Sequence, residues 1–371
     1  MRILYVIGRI GVGGDTVVVN NVLNKLKKNQ LINDWKIDFL THEIGYNIKA
    51  VEDLKSKGHN VFILKGDFRK LGPKKYYKEL YNLLKNRNCY DVIHIHTGLQ
   101  SAIPILVAKR LKIKKIICHA HSNSIQRKVS FLKNKCISPF LRLIINIFAT
   151  NKVACSREAG DFLFGKNKYE IINNGIDVDL YSNIDEKCIM NLKDKFDINN
   201  ENILIGQIGR FSKMKNHEFS LQLARATKNN KKIKYIFVGD GENFEYILDI
   251  INKENLNVTC VGRQNNIPIW LNVFDKMILP SLSGEGFPMV LIEAQATMTE
   301  CLVSDLVPRS ADLKINKVKF HSLNDFDFWI RNIVDTKKSE NINNKYGIDC
   351  IIKNEMSIDN VIKKWIELYE K

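Results

Sequence analysis

The chain has 371 residues, a length typical of two domains. Hydrophobic residues make up 45% of the chain and charged residues 26%, with 20 Gly and 7 Pro, which excludes collagen-like and disordered low-complexity proteins. The sequence contains no run of 18 uncharged apolar residues, and the apolar run that follows Met1 is too short for a signal peptide. We therefore expect no transmembrane helix and a cytoplasmic chain that begins at Met1.

The positive charge is concentrated in the first half of the chain. Residues 1–180 contain 31 Lys and Arg against 14 Asp and Glu, an excess that equals the net formal charge of +17 of the whole chain. No acidic residue lies between Asp91 and Glu158. A field of one sign attracts a polyanion, which makes nucleic acid, an anionic membrane and a phosphorylated substrate the candidate partners. The alternative is a solvated lysine-rich surface without a partner.

Apolar, β-branched segments alternate with helical segments along the chain. The predicted strands are 3–7, 37–41, 61–64, 92–96, 116–120, 152–156, 170–173, 203–208, 235–238, 258–261, 277–279 and 301–304. The predicted helices are 16–28, 74–85, 99–111, 131–149, 217–227, 243–255, 267–274, 290–296 and 358–369. Several strands are continuous apolar runs, as in parallel sheets that are covered on both faces. The predicted fold class is therefore α/β, with two doubly wound parallel-sheet domains.

The two predicted domains meet where the sequence becomes polar and rich in asparagine, at residues 182–202. This composition predicts a linker and places the boundary near residues 174–200. We assign residues 1–180 to the first domain, 181–355 to the second, and 356–371 to a terminal helix.

Glycine-rich and cationic segments follow several predicted strands, where ligands bind in open α/β sheets. Glycines at 8, 11, 13 and 14 follow the first strand, but their spacing does not match the G-x-G-x-x-G pattern of dinucleotide-binding domains. The Walker A pattern of P-loop nucleotidases is also absent from the sequence. Arg210 and Lys215 follow the first strand of the second domain, and two cations at one strand end are able to neutralise a diphosphate without a metal ion. Taken alone, these two residues fit ordinary surface charge equally well.

The segment 280–294 places two carboxylates around a predicted helix start. Pro288 suits the first position of a helix, which leaves the other amides of residues 286–290 free to bind an anion. Glu285 precedes the helix and Glu293 lies within it. Because this helix is largely apolar, we expect Glu293 to be buried and to need a partner.

Four histidines end two predicted neighbouring strands, His94 and His96 on one and His119 and His121 on the next. This concentration leaves a structural role and a catalytic role equally open. An H-x-H pair is able to bind zinc, but no carboxylate closely follows either pair in the sequence. We therefore predict that no metal is bound.

In order along the chain, these segments resemble the retaining glycosyltransferases of the GT-B fold, family 4, and among them the bacterial enzymes of capsule and exopolysaccharide assembly. The resemblance covers most of the chain and rests on the joint order and spacing of its motifs. These motifs are the glycine turn at 11–15, Asp91-Val92-Ile93-His94-Ile95-His96, His119-Ala120-His121, Ala154-Cys155-Ser156-Arg157-Glu158-Ala159-Gly160, Asn173-Asn174-Gly175-Ile176-Asp177, Gly209–Asn216, Val238-Gly239-Asp240-Gly241-Glu242, and Glu285 with Glu293.

The resemblance implies two Rossmann-like domains that face a central cleft, with the acceptor in the first and a nucleotide sugar in the second. It also implies that helix 356–371 packs back towards the first domain. The implied reaction transfers a hexose or N-acetylhexosamine with retention from the nucleotide sugar, with UDP favoured, and without a cofactor or a required metal.

The resemblance also assigns roles to individual residues. Arg210 and Lys215 match the diphosphate-binding cations, Glu293 the carboxylate on the donor ribose, and Glu285 the one near the transferred sugar. The implied catalytic residues are Arg210, Lys215, His121 and Glu285. The implied donor-binding residues are Gly13, Gly14, Arg263, Gly286, Phe287, Met289, Val290 and Glu293, and the implied acceptor-binding residues are Asp15 and His96.

Two local differences separate the chain from the family pattern. Thr16 stands where the early G-G-x-E turn has its glutamate, and Ser283-Gly284 adds a residue before Glu285. Capsule-type acceptors are saccharides linked to a polyprenyl diphosphate, so the resemblance implies a lipid-linked acceptor. The basic residues 92–157, with the apolar run 137–149, then predict peripheral attachment to the anionic inner face of the cell membrane.

Two other functions remain open from the sequence. A sugar-nucleotide 2-epimerase shares the GT-B architecture but needs no acceptor. A non-catalytic RNA- or anion-binding protein would use the basic half of the chain. RNA binding needs aromatic residues interleaved with the cations, and residues 92–157 offer only Phe131, Phe140 and Phe148, so we expect no nucleic-acid partner.

Overall fold

The computed structural model describes residues 1–10, 25, 35–43, 48–66, 68–87, 90–122, 131–182, 184–199, 201–282, 285–338 and 344–370. The chain divides into two compact units. The first unit consists of Met1–Gly175 together with Ile358–Lys371, and the second is Ile176–Ser357.

The first unit is built on a sheet of seven parallel strands in the order β3-β2-β1-β4-β5-β6-β7. The strands are β1 (Arg2–Arg9), β2 (Lys36–Glu43), β3 (Val61–Ile63), β4 (Val92–Ile95), β5 (Lys115–Ala120), β6 (Asn151–Ala154) and β7 (Glu170–Ile171). The central strands are apolar and fully buried, as expected where helices cover both faces. The strand order reverses between β1 and β4, which makes the space beyond their carboxyl ends the switch point of this sheet.

The helices of the first unit begin and end where the local sequence favours it. They are α1 (Ile48–Ser56), α2 (Phe68–Leu71), α3 (Pro73–Lys85), α4 (Ala102–Arg110), α5 (Phe131–Phe148) and α6 (Arg157–Phe164). Proline is the first residue of α3, where no backbone N–H is needed, and α3 buries Tyr76, Leu80 and Leu84 along one face. The side chain of Ser156 caps α6 by accepting a 3.1 Å hydrogen bond from the Ala159 amide.

The last helix of the chain, α15 (Ile358–Glu370), belongs to the first unit. Its buried face includes Trp365 and Tyr369, which contact aromatic residues of the sheet such as Tyr5. The Lys115 ammonium donates hydrogen bonds of 3.1 and 2.9 Å to the carbonyl oxygens of Leu368 and Tyr369. A cation at a helix C-terminus satisfies carbonyls that have no partner within the helix and interacts favourably with the helix dipole.

The second unit has six parallel strands in the order β10-β9-β8-β11-β12-β13. They are β8 (Ile203–Ile208), β9 (Ile233–Val238), β10 (Val258–Cys260), β11 (Lys276–Leu279), β12 (Glu300–Ser304) and β13 (Val318–His321). The helices are α7 (Asp179–Ser182), α8 (Glu186–Lys195), α9 (His217–Ala226), α10 (Phe244–Glu254), α11 (Ile267–Val273), α12 (Met289–Ala296), α13 (Phe326–Val334) and α14 (Lys345–Lys353). The switch point of this sheet lies between β8 and β11.

The two parallel α/β sheets confirm the predicted fold class. The structure differs from the sequence prediction in some elements. The edge strand β13 was not predicted, because its residues are partly exposed and do not form an apolar run. The expected linker at 182–202 contains α8, whose Leu192 is buried. The predicted helix 16–28 lies, apart from Lys25, outside the described residues. Across the part of the chain that the structure describes, no helix combines the length and the apolar character that crossing a membrane requires.

Candidate active site

Two loops meet at the switch point of the second unit. The loop after β8 and the loop after β11 are joined by a 2.8 Å hydrogen bond from the Leu282 amide to the Met214 carbonyl oxygen. A second bond of 3.1 Å runs from the Asn216 side-chain amide to the Pro280 carbonyl oxygen. Since β8 and β11 are neighbouring parallel strands, their carboxyl ends present both loops at the same edge of the sheet.

Lys215 and Glu285 form the central ion pair of this site. The Lys215 ammonium lies 2.5 Å from the Glu285 carboxylate, and the two side chains are only 12% and 8% exposed. Glu285 also accepts a 2.9 Å hydrogen bond from the Ser281 hydroxyl. The Gln207 amide holds the backbone of Lys215 through a 2.8 Å bond to its carbonyl oxygen. The structure thus brings together two side chains that are 70 residues apart in the sequence.

Arg210 forms a different ion pair in the same region of the sheet. Its guanidinium lies 3.0 Å from the carboxylate of Glu242, which follows β9, and the side chains are 40% and 54% exposed. Exposed pairs of this kind contribute about 0–1 kcal/mol, so Arg210 is able to exchange Glu242 for another anion at little cost. The role of Glu242 was missed from the sequence, although it lies in one of the family-like motifs.

The ends of β8 and β9 pack closely, and this packing holds the loop that carries Arg210 in place. A Cβ at Gly239 would lie 1.9 Å from the carbonyl oxygen of Gly209, and the Gly239 backbone has a φ of +144°. Only glycine meets both conditions. The glycine at position 239 therefore allows the β9 end to pack against the residue that precedes Arg210.

Glu293 lies on α12, one helical turn or more beyond the loop that carries Glu285. Its neighbours Val290, Ile292 and Ala294 are buried, as the sequence predicted for this helix. Glu293 itself is only half-buried, which differs from the prediction that it is buried. Burial raises the pKa of Glu293 to about 6, while a hydrogen bond from the Tyr181 hydroxyl and the charge of Lys215 act in the opposite direction. The carboxylate therefore lies near the Lys215 ammonium and is partnered by a tyrosine that sequence reasoning did not identify.

Other residues with an expected role in donor binding lie in different places. Gly286 and Phe287 are buried in the loop that leads into α12, while Met289 and Val290 form its first turn, with Val290 buried. Arg263 is exposed beyond β10, an outer strand separated from β8 by β9. Gly13, Gly14 and Asp15 lie outside the described residues.

The four predicted histidines form one cluster in the first unit, which we call the histidine cluster: His94, His96, His119 and His121. Side chains two residues apart on a strand share a face, and β4 and β5 pair in parallel, so all four rings lie on one side of the sheet. His96 Nδ1 lies 2.7 Å from His121 Nε2, and His94 Nε2 lies 3.2 Å from His119 Nδ1. Trp365 and Tyr369 of α15 pack on the cluster, and the Tyr369 hydroxyl lies 2.7 Å from His94 Nδ1.

The histidine cluster is uncharged at neutral pH. Burial lowers the pKa of His121 to about 4. Burial also lowers the pKa values of His94, His96 and His119 well below the usual imidazole range, and the neighbouring imidazoles add to this effect. His96 Nε2, His119 Nε2 and His121 Nδ1 are buried without a hydrogen-bond partner among the described residues. These neutral nitrogens have unused hydrogen-bonding capacity, although the atoms themselves are inaccessible to solvent.

The histidine cluster also has the composition of a metal site. His94, His96 and His119 bring one ring nitrogen each within 4.8 Å of the others. Both nitrogens of His94 are engaged, by Tyr369 and by His119. The absence of a metal requirement stays a prediction from the sequence.

Two family models together match most of the chain. The model described as Glycosyltransferase Family 4 matches residues 12–180, and the model described as Glycosyl transferases group 1 matches residues 189–362. The putative glycosyltransferase EpsF of Bacillus subtilis is 28% identical over 335 residues, which cover 87% of this chain and 84% of that protein. The UDP-Gal:alpha-D-GlcNAc-diphosphoundecaprenol alpha-1,3-galactosyltransferase of Escherichia coli is 27% identical over 272 residues, which cover 69% of this chain and 68% of that protein.

Solved structures show the same fold. Anabaena Alr3699/HepE in complex with UDP-glucose superposes with a TM-score of 0.76 at 17% identity, covering 99% of this chain and 98% of that one. TarM superposes with a TM-score of 0.70 at 12% identity, covering 100% and 99%. The chain is therefore a GT-B glycosyltransferase, composed of a glycosyltransferase family 4 region followed by a glycosyl transferases group 1 region.

Proposed function

We propose that this protein is a retaining glycosyltransferase that moves a hexose or N-acetylhexosamine from a UDP-sugar to a lipid-linked saccharide during surface polysaccharide synthesis. The observation that carries the proposal is the position of Lys215 beside two carboxylates, Glu285 and Glu293, at the switch point of the second unit. The name of the Escherichia coli relative includes a UDP-sugar donor and a diphosphoundecaprenol acceptor. The Anabaena structure was solved with UDP-glucose.

The proposed mechanism is mainly electrostatic. When the bond between the sugar C1 and the diphosphate breaks, negative charge develops on the diphosphate oxygens. Lys215, Arg210 and the free amides at the start of α12 stabilise this charge, and fixed charges and dipoles of this kind often provide the largest catalytic contribution. No cofactor or metal ion is required in this proposal, because two cations already oppose the diphosphate.

The carboxylates have separate roles in the proposed complex. Glu293 accepts hydrogen bonds from the ribose hydroxyls in this proposal. Among the described residues, Tyr181 and Lys215 act on its carboxylate. Glu285 accepts hydrogen bonds from the transferred sugar once Lys215 turns to the diphosphate. The acceptor oxygen then bonds to C1 on the face that the diphosphate leaves, and its proton moves to the departing phosphate oxygen. This front-side substitution retains the configuration at C1.

The first unit holds the acceptor in this proposal. His96 is assigned to the acceptor hydroxyls, and His121 is assigned to the donor sugar as a catalytic residue. Burial keeps both imidazoles unprotonated at neutral pH. Asp15 is assigned to the acceptor as well. We further propose that the protein works at the inner face of the cell membrane, where a lipid-linked acceptor is found, and attaches there peripherally through its basic first half.

Product analysis tests the proposal. The protein is incubated with UDP-sugars and a polyprenyl diphosphate saccharide, with and without EDTA, and the anomeric configuration of the product is determined by NMR. We expect the α-linked product from an α-linked donor, at the same rate with EDTA. Inverted product would refute retention, and loss of activity with EDTA would refute metal independence. An epimerised sugar formed without acceptor would identify a 2-epimerase instead.

Matched lysine variants test the site itself. Lys215→Met should lower kcat/KM by about 10²- to 10³-fold, the usual effect of removing one group that stabilises transition-state charge. Lys253→Met is the control, because Lys253 also pairs with a carboxylate, that of Asp249, but on the exposed surface of α10. Equal activity of the two variants would remove Lys215 from the proposed mechanism.

A further inference from the structure

The strand β8 carries one polar side chain in the interior of the second sheet. Gln207 is fully buried in this strand, which lies between β9 and β11, and the other residues of β8 are aliphatic or glycine. Burying an amide is costly unless it is hydrogen-bonded, and strands covered on both faces ordinarily carry aliphatic side chains. Gln207 therefore departs from the pattern of its strand, as residues often do where they support a functional site.

Both ends of the Gln207 amide are hydrogen-bonded. Its Nε2 group donates a 2.8 Å bond to the Lys215 carbonyl oxygen, and its Oε1 atom accepts a 2.6 Å bond from the Ser220 hydroxyl. Ser220 lies in the first half of α9 and is also fully buried. If the amide were reversed, two oxygens would face each other at Lys215. The bond from Ser220 thus keeps Gln207 in the orientation that holds the loop.

The backbone of Lys215 is held on several sides. Its amide donates a 3.1 Å bond to the Ser212 carbonyl oxygen, so both backbone polar groups of Lys215 are engaged. The next residue, Asn216, has a left-handed φ of 55° and donates from its side chain to the Pro280 carbonyl oxygen at 3.1 Å. The ammonium of Lys215 therefore extends from a backbone that is fixed at both sides of its Cα.

The side chain of Lys215 runs along the end of β8. A Cβ added at Gly209 would lie 3.1 Å from Lys215 Cε and 3.2 Å from its Cδ. Beyond Cε, the ammonium reaches Glu285 in a largely buried ion pair. A side chain that is anchored at its backbone and guided along its stem has few positions for its charge. Such restriction suits a catalytic group that has to act at one place.

We propose that Gln207 and Ser220 are positioning residues for Lys215 and set the place at which its ammonium meets the donor diphosphate. Ser220 orients Gln207, and Gln207 holds the Lys215 backbone, while neither side chain touches the donor. A buried polar network in which every member is satisfied is rigid enough for this role. The inference rests on the proposed function, because that proposal assigns Lys215 to the donor diphosphate.

A double-mutant cycle tests whether Gln207 acts through Lys215. Gln207→Met nearly keeps the size of the side chain but removes both hydrogen bonds. It should lower kcat/KM for sugar transfer by about 10- to 100-fold, since misplacing a reacting group by about 1 Å has an effect of that order. In a chain that already carries Lys215→Met, the same change should lower kcat/KM by less than about twofold. An equal decrease in both backgrounds would overturn the proposal.

A milder variant and a matched control accompany the cycle. Ser220→Ala keeps Gln207 and removes one hydroxyl, so it should lower kcat/KM about three- to tenfold. Tyr235→Phe is the control, because it also breaks a buried hydrogen bond of this unit, the 2.9 Å bond between the Tyr235 and Thr227 hydroxyls. Its kcat/KM should stay within about twofold of the wild-type value. Wild-type activity in both Gln207→Met and Ser220→Ala would overturn the proposal, as would an equal decrease in the control.

Urea denaturation tests the positioning of Lys215 without any substrate. If Gln207 places the Lys215 ammonium, its replacement weakens the ion pair with Glu285. Glu285→Ala should then lower the urea midpoint at most about half as much in the Gln207→Met background as in the wild type. An equal decrease would overturn the inference whatever the substrate is. A smaller decrease together with full activity of Lys215→Met would leave Gln207 as the residue that positions Lys215 and refute the role of Lys215 in the proposed function.

Discussion

Lys215 and Glu285 are nearly inaccessible to water, so the charge of each side chain is stabilised mainly by the other. Removing one member of a buried ion pair leaves an uncompensated charge, and the usual cost is about 3–5 kcal/mol. The pair therefore holds the two switch-point loops together as long as no other ion replaces a partner. A diphosphate is such an ion for Lys215, and sugar hydroxyls are suitable partners for Glu285.

Replacing Glu285 by alanine should lower the free energy of unfolding by about 3 kcal/mol, because the Lys215 charge is left without its partner. The change is measured by urea denaturation at pH 7. Glu242→Ala is the control, since it breaks the exposed pair with Arg210 and should cost under about 1 kcal/mol. An equal loss in both variants would show that the Lys215–Glu285 pair is not effectively buried.

Glu293 gives donor binding a pH dependence. The pKa of Glu293 is raised to about 6, so this side chain, which we assign to the donor ribose, is ionised above pH 7 and becomes protonated below pH 6. The groups that act on it are the Tyr181 hydroxyl and the Lys215 ammonium. We expect UDP affinity to fall by up to about tenfold per pH unit below pH 6, measured by calorimetry. Glu293→Gln should bind weakly at every pH, and a wild-type pH profile in that variant would contradict the assignment.

Histidine burial affects stability in acid. The pKa of His121 falls from an ordinary value near 6.5 to about 4 on folding, so below pH 6.5 the unfolded chain takes up a proton that the folded chain does not. Protonation of His121 therefore has little effect on the free energy of unfolding above pH 6.5. Between pH 6.5 and pH 5 it lowers that free energy by about 2 kcal/mol. In urea denaturation, the free energy of unfolding of His121→Asn should fall by about 2 kcal/mol less than that of the wild type over this pH range. His321→Asn, which removes a part-exposed histidine paired with Asp325, should keep the full decrease.

At the scale of elements, the ends of the parallel strands determine the geometry of the site. β8 supplies the loop of Arg210 and Lys215, and β11 supplies the loop of Glu285. The two loops are tied by one backbone hydrogen bond and one hydrogen bond from a side chain to the backbone. The same arrangement in the first unit brings the ends of β4 and β5 together with their histidines. The site of the second unit lies at the reversal of strand order, which opens a space beyond the neighbouring strands. The histidine cluster instead follows from the parallel pairing of β4 with β5.

Gly239→Ala tests the packing of these strand ends. The added Cβ would meet the Gly209 carbonyl oxygen at 1.9 Å, so the loop that carries Arg210 has to move. We expect a loss of about 2–3 kcal/mol in urea denaturation and a parallel loss of UDP binding. Gly262→Asn is the control, because that site has open space around it and asparagine tolerates a φ of +67°. Retained UDP affinity in Gly239→Ala would show that the loop position is unimportant for the donor.

At the scale of the whole molecule, the first unit is built from two separate stretches of the chain. The chain completes the second unit at Ser357 and then returns α15 to the first unit. The first unit depends on this helix, since Trp365 and Tyr369 cover Tyr5 and the histidine cluster. The last 14 residues therefore belong to the first unit, whose other residues are Met1–Gly175.

A chain that ends at Ser357 should keep the second unit and lose the first. Without α15 the apolar face of the first sheet is exposed, and burial of one large aromatic side chain alone contributes about 3 kcal/mol or more. In calorimetry the full chain should give a transition for each unit, of which the UDP-stabilised one persists in the truncated chain. Loss of the UDP-dependent transition on truncation would mean that the second unit does not fold by itself.

The sequence by itself determined the sheets, because a strand covered on both faces has to be continuously apolar and its crossover helix has to follow it. It also predicted His94, His96, His119 and His121 as strand-end residues, Lys215 and Glu285 as residues of loops that follow strands, and Glu293 as a residue of the helix after Glu285. The elements it missed, such as β13 and α8, are partly exposed, so that no apolar run distinguishes them from loops.

Only the tertiary structure decided which side chains became partners. Glu285 pairs with Lys215, Glu242 with Arg210 and Tyr181 with Glu293, although the members of each pair are far apart in the chain. In α5, Phe140 is exposed and Ile145 is buried although both are apolar, so residue type alone does not distinguish surface from core. Local patterns depend on a few neighbouring residues, whereas partner choice and exposure depend on how distant segments pack.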